Sequence, residues 1–257
     1  MKACVITIGN EILKGKTVNT NAAEIGRMLY FSGYDVYRGL IVPDVKEEIG
    51  NAFRSLIGKC DVIVSSGGLG PTFDDMTVSS FAQEFDIALR RDKETYTIIK
   101  FRTEKKQLKM TKEREKMALI PDGSIAIKNE VGTAPGVDYK IEATRIFILP
   151  GVPAEMRSML RYVEREIKLK DSFYFEDSTK IHGIYEATLA PYVSELMKRY
   201  SGRVYIKSHP LVDEGGESAL EVEVSAKADR FENSKNVVNE VLAEIKMIVS
   251  KLRRVGN

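Results

Sequence analysis

Strand-like runs alternate with helical patterns along the first two thirds of the chain. The strand-like runs cover residues 3–8, 35–42, 61–66 and 145–149, and apolar residues recur at helical spacing over residues 21–32, 45–56, 72–85 and 153–169. The run at 3–8 is continuously apolar, as expected for a strand that is covered on both faces. Strands that alternate with helices predict right-handed βαβ crossovers, and therefore an α/β fold with a doubly wound, mainly parallel sheet.

The pattern changes near residue 171. Strand-like runs at 173–184, 203–208 and 219–228 alternate with helical patterns near 188–200 and 231–252. This β-α-β-β-α order predicts a small α+β module over residues 171–257, after a first α/β domain over residues 1–170. Within the first domain, residues 93–117 are charged and helical in pattern, and are predicted to form an excursion from the sheet or a dimer contact.

Composition narrows the classes of function. The sequence has 39 Lys and Arg against 37 Asp and Glu, so it lacks the basic excess of a dedicated nucleic-acid-binding protein. Its apolar stretches are far shorter than the roughly 18 residues of a membrane span, and residues 1–8 do not resemble a signal peptide. We therefore expect a cytoplasmic protein. In a reducing compartment, Cys4 and Cys60 are expected to be buried free thiols rather than a redox pair or metal ligands.

The segment GGLGPTFDDMT at residues 67–77 joins a strand to a predicted helix. Its three glycines allow positive φ and close approach of the backbone to a ligand, and Pro71 stiffens the turn. N–H groups at the helix start would face the carboxyl edge of the sheet, where α/β folds bind ligands. Thr72 and Asp75 have the spacing of a capping box, which predicts that the helix begins there. A cap needs only one carboxylate, so the clustered glycines favour a phosphate site.

Two adjacent carboxylates, Asp74 and Asp75, follow the glycines. They would repel a phosphate unless a cation lay between them, so a phosphorylated ligand would imply an ion such as Mg²⁺. The alternative is that both carboxylates only complement the helix dipole. Asp44 ends the second strand at the same edge of the sheet, where it could hold a ribose, a pterin amine or a metal, or cap the next helix.

Two further loops of small residues, at 132–136 and 150–153, are predicted at this edge of the sheet. The second opens a helix, which favours anion binding, although Glu155 in the first turn could simply complement the dipole. The segment GNEILKGKT at 9–17 misses the P-loop spacing and is predicted to be a shaped loop. Because His182 and His209 both lie in the C-terminal module, the first domain has neither a histidine base nor a histidine-ligated zinc.

Four segments occur together in the order and spacing of the CinA family, namely GNEILKGKTVNTN at 9–21, GGLGPTFDDMT at 67–77, VGTAPG at 131–136 and LPGVPAEM at 149–156. Over residues 1–165 the chain resembles the first domain of that family, which is similar to the molybdopterin-binding fold of the MoaB, MogA and MoeA proteins. The resemblance implies a three-layer α/β domain, a homo-oligomer (dimer or trimer), and divalent-metal-dependent cleavage of ADP-ribose or FAD. The molybdopterin branch implies binding and adenylylation of a pterin.

The resemblance also implies a set of site residues. The expected catalytic residues are Asp75, Asp74 and Asp44, and the first two are also the expected ligands of Mg²⁺, Mn²⁺ or Co²⁺. The expected ligand-binding residues lie on loops at one edge of the sheet, and they are Gly9, Asn10, Glu11, Thr20, Asn21, Gly67, Gly68, Leu69, Gly70, Pro71, Thr72, Gly132, Thr133, Pro150, Gly151 and Pro153. Members of the family often have Asp in place of Asn10 and His in place of Phe73. Bacterial members often continue into a nicotinamide-nucleotide amidase domain, an activity that we do not expect here.

The leading hypothesis from the sequence is a metal-dependent nucleotide pyrophosphatase that acts on ADP-ribose, FAD or a related dinucleotide. The first alternative is a molybdopterin-binding or adenylyl-transferring enzyme of molybdenum cofactor metabolism. The second is a nucleotide-binding protein without catalysis, which the departures at Asn10 and Phe73 favour. All three hypotheses place a small-molecule nucleotide or pterin on the same loops, and none involves nucleic acid or a membrane.

Overall fold

A computed structural model describes residues 1–212 and 218–255. The chain divides into two compact units. The first comprises Met1–Tyr30 and Tyr34–Lys168, and the second comprises Phe31–Gly33 and Leu169–Asn257. No helix in the described part of the chain combines the length and the apolar character that crossing a bilayer requires.

The first unit alternates strands and helices. In chain order its elements are β1 (Lys2–Ile8), α1 (Asn10–Leu13), α2 (Thr20–Phe31), β2 (Asp35–Val42), α3 (Lys46–Leu56), β3 (Val62–Ser66), α4 (Thr77–Glu84), β4 (Leu89–Arg91), α5 (Lys93–Lys105), α6 (Lys112–Lys116), β5 (Leu119–Pro121), β6 (Ile125–Ile127), β7 (Gly136–Ile141), β8 (Thr144–Leu149) and α7 (Pro153–Ile167). Six strands form one sheet in the order β2-β1-β3-β8-β7-β6, and β4 pairs with β5 separately. Strands β2, β1, β3 and β8 are parallel, while β7 and β6 are antiparallel. The predicted mainly parallel α/β fold is confirmed.

The apolar runs become central strands because both faces of the sheet are covered. Cys4, Ile6 and Ile8 of β1 pack on one face with apolar residues of α3 and α4, including Phe53 and Phe81. The alternate residues of β1 that point to the other face are buried as well, as are apolar residues of α2 and α7. By contrast, β2 lies at the edge of the sheet and is mostly exposed. The arrangement is the three-layer packing that the family resemblance implies.

A charged network holds the antiparallel side of this sheet. Arg145 in β8 pairs with Asp138 in β7 through Nη2 and Oδ2 at 2.7 Å, and it also reaches Glu166 of α7 at 2.9 Å. The hydroxyl of Tyr162 donates to Asp138 at 2.9 Å. Burial, followed by this hydrogen bond, raises the pKa of Tyr162 to about 12. Asp138 is buried, and these partners compensate its charge and its hydrogen-bonding capacity.

Cys4 and Cys60 form a disulfide, so the expectation of two free thiols is wrong. Cys4 lies in β1 beside β3, and Cys60 comes two residues before β3 begins. The pairing of these two neighbouring strands brings the Cα atoms of the cysteines to 6.2 Å, although 56 residues separate them along the chain. A Cα separation of this size is in the usual range for a disulfide.

The second unit has the predicted β-α-β-β-α order. Its elements are β9 (Phe173–His182), α8 (Glu186–Arg199), β10 (Val204–Val212), β11 (Ser218–Ala228) and α9 (Phe231–Val255). The three strands form an antiparallel sheet in the order β10-β11-β9. Apolar residues on one face of this sheet pack with α8 and α9, for example Val222, Leu196 and Val241. His209 is exposed on β10, consistent with a surface histidine.

Candidate functional site

Four parallel strands end at one edge of the sheet in the first unit. The residues that follow them are Gly9 after β1, Asp44 after β2, Gly67 after β3 and Pro150 after β8. These loops, together with residues 131–134, line a cleft of about 780 Å³. The carboxyl edge of a parallel sheet is where α/β folds bind ligands.

Gly67 shows why the cleft wall begins with glycine. Its φ is +117°, and a Cβ built on it would lie 2.0 Å from the carbonyl oxygen of Ile8. The N–H of Gly67 donates to the carbonyl of Leu149 at 3.0 Å, and its own carbonyl accepts from the hydroxyl of Thr77 at 2.8 Å. The main chain is thus held close to both neighbouring strands, and a larger residue does not fit there.

Thr72, Asp74 and Asp75 form a hydrogen-bonded turn at the mouth of the cleft. Oδ2 of Asp75 accepts from the main-chain N–H of Thr72 at 2.9 Å and from its hydroxyl at 2.5 Å. The Thr72 hydroxyl is also within hydrogen-bonding distance of the Asp74 carboxylate, and this contact lowers the pKa of Asp74. Helix α4 begins only at Thr77, without a side-chain cap. The predicted capping box is therefore wrong, because its two residues satisfy each other within the loop.

Asp44 holds the segment after β1. Its Oδ2 accepts from the main-chain N–H of Asn10 at 2.8 Å. The helix that follows, α3, has Val45 at its N-cap position and no side-chain cap, so the alternative of Asp44 as an N-cap is wrong. The shaped loop predicted for residues 9–17 contains the short helix α1. Asp44 thus joins the loops after two neighbouring strands at the cleft.

The loop before β7 is fixed by Asn129. Its Nδ2 donates to the carbonyl of Ala134 at 2.8 Å and to Oε2 of Glu155 at 2.7 Å. Its Oδ1 accepts from the main-chain N–H of Gly132 at 2.6 Å. Glu155, in the first turn of α7, lines the cleft and is thereby connected to this loop. Glu155 therefore does more than complement the dipole of α7, because it also bonds to the residue that fixes this loop.

A second, smaller pocket of about 80 Å³ shares Ile8, Glu11 and Gly151 with the cleft. Among its lining residues is Asn21, whose Nδ2 donates to the carbonyl of Gly151 at 2.8 Å. Oδ1 of Asn21 is buried and has no hydrogen-bond partner in the described part of the chain. Asn21 therefore contributes a polar side chain with one unpartnered acceptor to the lining of this pocket.

The structure brings most of the predicted site residues together. The large cleft is lined by Gly9, Glu11, Asp44, Gly67, Gly68, Leu69, Gly70, Pro71, Thr72, Asp74, Asp75, Gly132, Thr133, Pro150 and Gly151. Thr20, Asn21 and Pro153 line the smaller pocket instead, and Asn10 contributes its main-chain N–H to Asp44.

Several cleft residues were not predicted from the sequence. They include Arg102 and Lys106 at the end of α5, Arg114 in α6, and Glu155. The predicted excursion at 93–117 thus forms part of the cleft. The signal that could have suggested this is its excess of basic residues, but charge alone does not tell which surface a helix faces.

The residues around Thr72 are compatible with a metal ion whose coordination is completed by oxygens of a bound substrate. Within residues 1–212 and 218–255, no group of three or more His, Cys, Asp or Glu side chains is arranged to hold a metal. Mg²⁺, however, is commonly held by one or two carboxylates together with substrate phosphates and water. Asp74 and Asp75 fit that smaller donor set, since both carboxylates line the cleft.

A doubly wound sheet with a glycine-lined cleft at its carboxyl edge is an architecture in which α/β proteins bind ligands. The model of the family described as "Probable molybdopterin binding domain" matches residues 4–168. The chain therefore belongs to the probable molybdopterin binding domain family. The matched residues include every loop that lines the large cleft.

Individual relatives extend this similarity. A protein of Caldivirga maquilingensis is 45% identical over 256 residues, which cover 100% of this chain and 98% of the relative. Protein Ta0487 of Thermoplasma acidophilum is 48% identical over 223 residues, which cover 87% of this chain and 86% of the relative. The crystal structure of CinA from Thermoplasma acidophilum, a protein described as having unknown function, is 50% identical with a TM-score of 0.61. It covers 65% of this chain and 97% of its own. The predicted CinA resemblance is confirmed.

Proposed function

We propose that the large cleft binds a phosphorylated pterin of the molybdopterin type, with a phosphate on the main-chain N–H groups of Gly68, Leu69 and Gly70. The observation that carries the proposal is the backbone at Gly67 and Gly68, both with positive φ, at the wall of the cleft. Backbone without side chains lets a phosphate approach the N–H groups closely. The match of the molybdopterin-binding family model over residues 4–168 supports the choice of a pterin.

The size of the cleft also supports a small-molecule ligand. Its volume of about 780 Å³ lies within the roughly 300–1,000 Å³ that is typical of small-molecule sites. Its lining combines apolar residues such as Leu69 and Val131 with carboxylates and cations. A ring system with a phosphate would use both kinds of surface.

The proposal is tested by titrating the protein with a pterin monophosphate and following the heat of binding. In the variant Gly70→Ala, the new Cβ would lie 2.5 Å from Oδ2 of Asp75, which holds the Thr72 N–H. We expect this disturbance of the loop to weaken binding at least about tenfold, or 1.4 kcal/mol. Gly39→Ala is the control, because a Cβ there meets nothing within 4 Å. Equal affinities in the wild type and both variants would exclude the 67–72 loop as the phosphate site.

A second candidate function is the hydrolysis of a nucleotide pyrophosphate, which the pair Asp74 and Asp75 favours. Both carboxylates accept from Thr72, and each has a second oxygen that these contacts do not use. Asp74 and Asp75 would hold a divalent cation. When bound, such an ion would polarise the phosphoryl oxygens and lower the pKa of a nearby water.

The chain's own residues would then bind and orient the ligand. The 67–72 loop would hold one phosphate. The hydrogen bond from Thr72, which lowers the pKa of Asp74, favours the ionised carboxylate that a cation would need. Water would add to one phosphorus of ADP-ribose as the bridging P–O bond breaks, giving AMP and ribose 5-phosphate. The proton of the water would pass to a phosphate oxygen or to solvent.

The two candidates differ in what Asp75→Asn should do. For metal-dependent hydrolysis, we expect AMP release from ADP-ribose with Mg²⁺, Mn²⁺ or Co²⁺, none with EDTA, and almost none in the variant. For metal-free binding, loss of a negative charge beside a phosphate should raise affinity several-fold, since the repulsion removed is about 1 kcal/mol. Asp35→Asn, an exposed change at the start of β2, is the control. Release of AMP at the wild-type rate by Asp75→Asn would exclude the proposed hydrolytic site.

A further inference from the structure

Glu155 lines the large cleft from the first turn of α7, and two contacts fix its side chain. Its Oε2 accepts a hydrogen bond from Nδ2 of Asn129 at 2.7 Å. The carboxyl group also packs against the main chain of Gly132, where a Cβ would overlap it. The carboxylate is therefore held in place in the cleft, so a ligand that binds it does not have to order a long, flexible side chain.

The main chain determines which end of the Asn129 amide faces Glu155. Oδ1 of Asn129 accepts from the main-chain N–H of Val131 at 3.2 Å and of Gly132 at 2.6 Å, and Nδ2 donates to the carbonyl of Ala134 at 2.8 Å. Asn129 is buried, so these partners settle the orientation of its amide. Because the amide nitrogen can only donate, Glu155 must present an acceptor oxygen to it.

The second carboxylate oxygen of Glu155, Oε1, is not used by the protein. Within residues 1–212 and 218–255 it has no hydrogen-bond partner, and no Lys or Arg forms an ion pair with Glu155. Glu24 and Glu166, by contrast, pair with arginines. A half-buried carboxylate that is held by a neutral amide can accept hydrogen bonds from a ligand with both oxygens, because each oxygen has two acceptor positions.

Apolar side chains lie on both segments that adjoin this carboxylate. Val131 belongs to the loop before β7 and Val152 lies at the N-cap position of α7, and both line the cleft with 61% and 53% of their surface exposed. Sites for flat heterocycles combine apolar contacts to the ring with a few polar groups that fix its orientation. The loop of Val152 also lies against the glycine loop, since a Cβ on Gly151 would be 3.3 Å from Cα of Gly67.

We propose that Glu155 selects the heterocycle in the large cleft by accepting two hydrogen bonds from adjacent N–H groups at the edge of the ring. The chemical class is a fused 2-amino-4-oxo-pyrimidine, of which a pterin is one. Such a ring presents a ring N–H and the neighbouring 2-amino group side by side, and the two oxygens of a carboxylate match this pair. The inference rests on the proposed function, because it assigns the ring end of the ligand whose phosphate lies at residues 68–70.

The test compares a pterin monophosphate with the corresponding lumazine monophosphate, in which a carbonyl replaces the 2-amino group. Both ligands are titrated into the protein in EDTA, and the heat of binding is followed. In the same placement of the ring, the lumazine brings a carbonyl oxygen next to a carboxylate oxygen where the pterin brings an N–H donor. We expect the wild type to bind the pterin at least about tenfold more tightly, because one hydrogen bond to a charged group is lost with the lumazine.

The variant Glu155→Gln should reverse this preference. Its side-chain oxygen must face Nδ2 of Asn129, so the amide nitrogen takes the place of Oε1. The ligand then meets one acceptor and one donor, which match the ring N–H and the neighbouring carbonyl of the lumazine. We expect the affinity for the pterin to fall at least about tenfold and the affinity for the lumazine to rise. A residue that only stabilised the loop would weaken both ligands alike.

Two further variants separate Glu155 from its surroundings. Gly132→Ala keeps the charge but fills the space beside the carboxylate, which then has to move, so the preference for the pterin should shrink. Glu164→Gln is the matched control, because Glu164 lies in the same helix outside the cleft and forms an ion pair with Lys168. This variant should leave both affinities unchanged. Circular dichroism shows whether each variant is folded.

Each result supports or overturns the proposal. Equal wild-type affinities for the two ligands would overturn it, and so would a Glu155→Gln variant that keeps the wild-type preference or loses both ligands equally. Gly70→Ala tests the phosphate site separately, since it should weaken both ligands and leave the ratio of their affinities unchanged. If Gly70→Ala has no effect while Glu155→Gln reverses the preference, the phosphate site is wrong and the ring subsite stands. If the wild type binds neither ligand, both proposals fail.

Discussion

The substitution Gly67→Ala places a methyl group between two strands of the central sheet. The new Cβ would lie 2.0 Å from the carbonyl oxygen and 3.0 Å from the carbonyl carbon of Ile8. Neither of the two backbone segments can move away easily. The N–H of Gly67 donates to the carbonyl of Leu149, and the N–H of Gly9 donates to the carbonyl of Val42. The φ of +117° is also one that alanine rarely adopts.

The expected loss of stability has two parts. Backbone strain of this kind costs about 1–3 kcal/mol, and overpacking costs about another 1–3 kcal/mol. The free energy of unfolding should therefore fall by roughly 2–6 kcal/mol, a large fraction of the roughly 5–15 kcal/mol of a typical protein. At an m-value of about 2–3 kcal/mol per molar, the urea midpoint of the first unit should fall by about 0.7–3 M.

The assay is urea unfolding followed by far-UV circular dichroism. Gly26→Ala is the matched control, because this glycine lies inside α2, lacks a positive φ, and a Cβ on it meets nothing within 4 Å. That variant should be more stable by about 0.5–1 kcal/mol, since alanine is favoured in a helix. If the free energy of unfolding of Gly67→Ala lies within about 0.5 kcal/mol of the wild-type value, Gly67 does not approach β1 as closely as described.

Three further predictions concern the first unit. Reduction of the Cys4–Cys60 disulfide should lower the free energy of unfolding by about 4 kcal/mol, from the 56-residue loop that it closes; an unchanged urea midpoint in dithiothreitol would contradict this. Arg145→Leu should cost about 3–5 kcal/mol by leaving Asp138 charged and buried, and adding Asp138→Asn should recover part of the loss. The pKa of Tyr162 is raised from 10.0 to about 12, so its stabilising contribution is complete below pH 10 and lost as pH rises through about 12. The urea midpoint of Tyr162→Phe should therefore fall less between pH 10 and 12 than that of the wild type.

The sheet could be predicted because its signal is local. A continuous apolar run such as residues 3–8 is buried on both faces, and it can be identified without knowing its neighbours. The glycines at 67–70 and the loop at 150–151 were also predictable, because the carboxyl ends of parallel strands meet at one edge. The spacing of Thr72 and Asp75 predicts a helix start at the wrong place, because the same two residue types can satisfy each other in a turn.

What could not be predicted depends on contacts between distant parts of the chain. The disulfide forms because β1 and β3 are neighbours in the sheet, which the spacing of Cys4 and Cys60 does not reveal. Arg102 and Arg114 lie in a segment whose charged pattern is equally typical of a solvent-exposed helix. Only the return of the excursion to the sheet edge, where Lys116 bonds to Asp75, shows which surface these cations face.

The measurement that tests the central claim most directly is a crystal structure of the protein with a bound pterin monophosphate. We predict that a phosphate lies within hydrogen-bonding distance of the main-chain N–H groups of residues 68–70. A phosphate bound elsewhere, with the 67–72 loop free of ligand, would contradict the account.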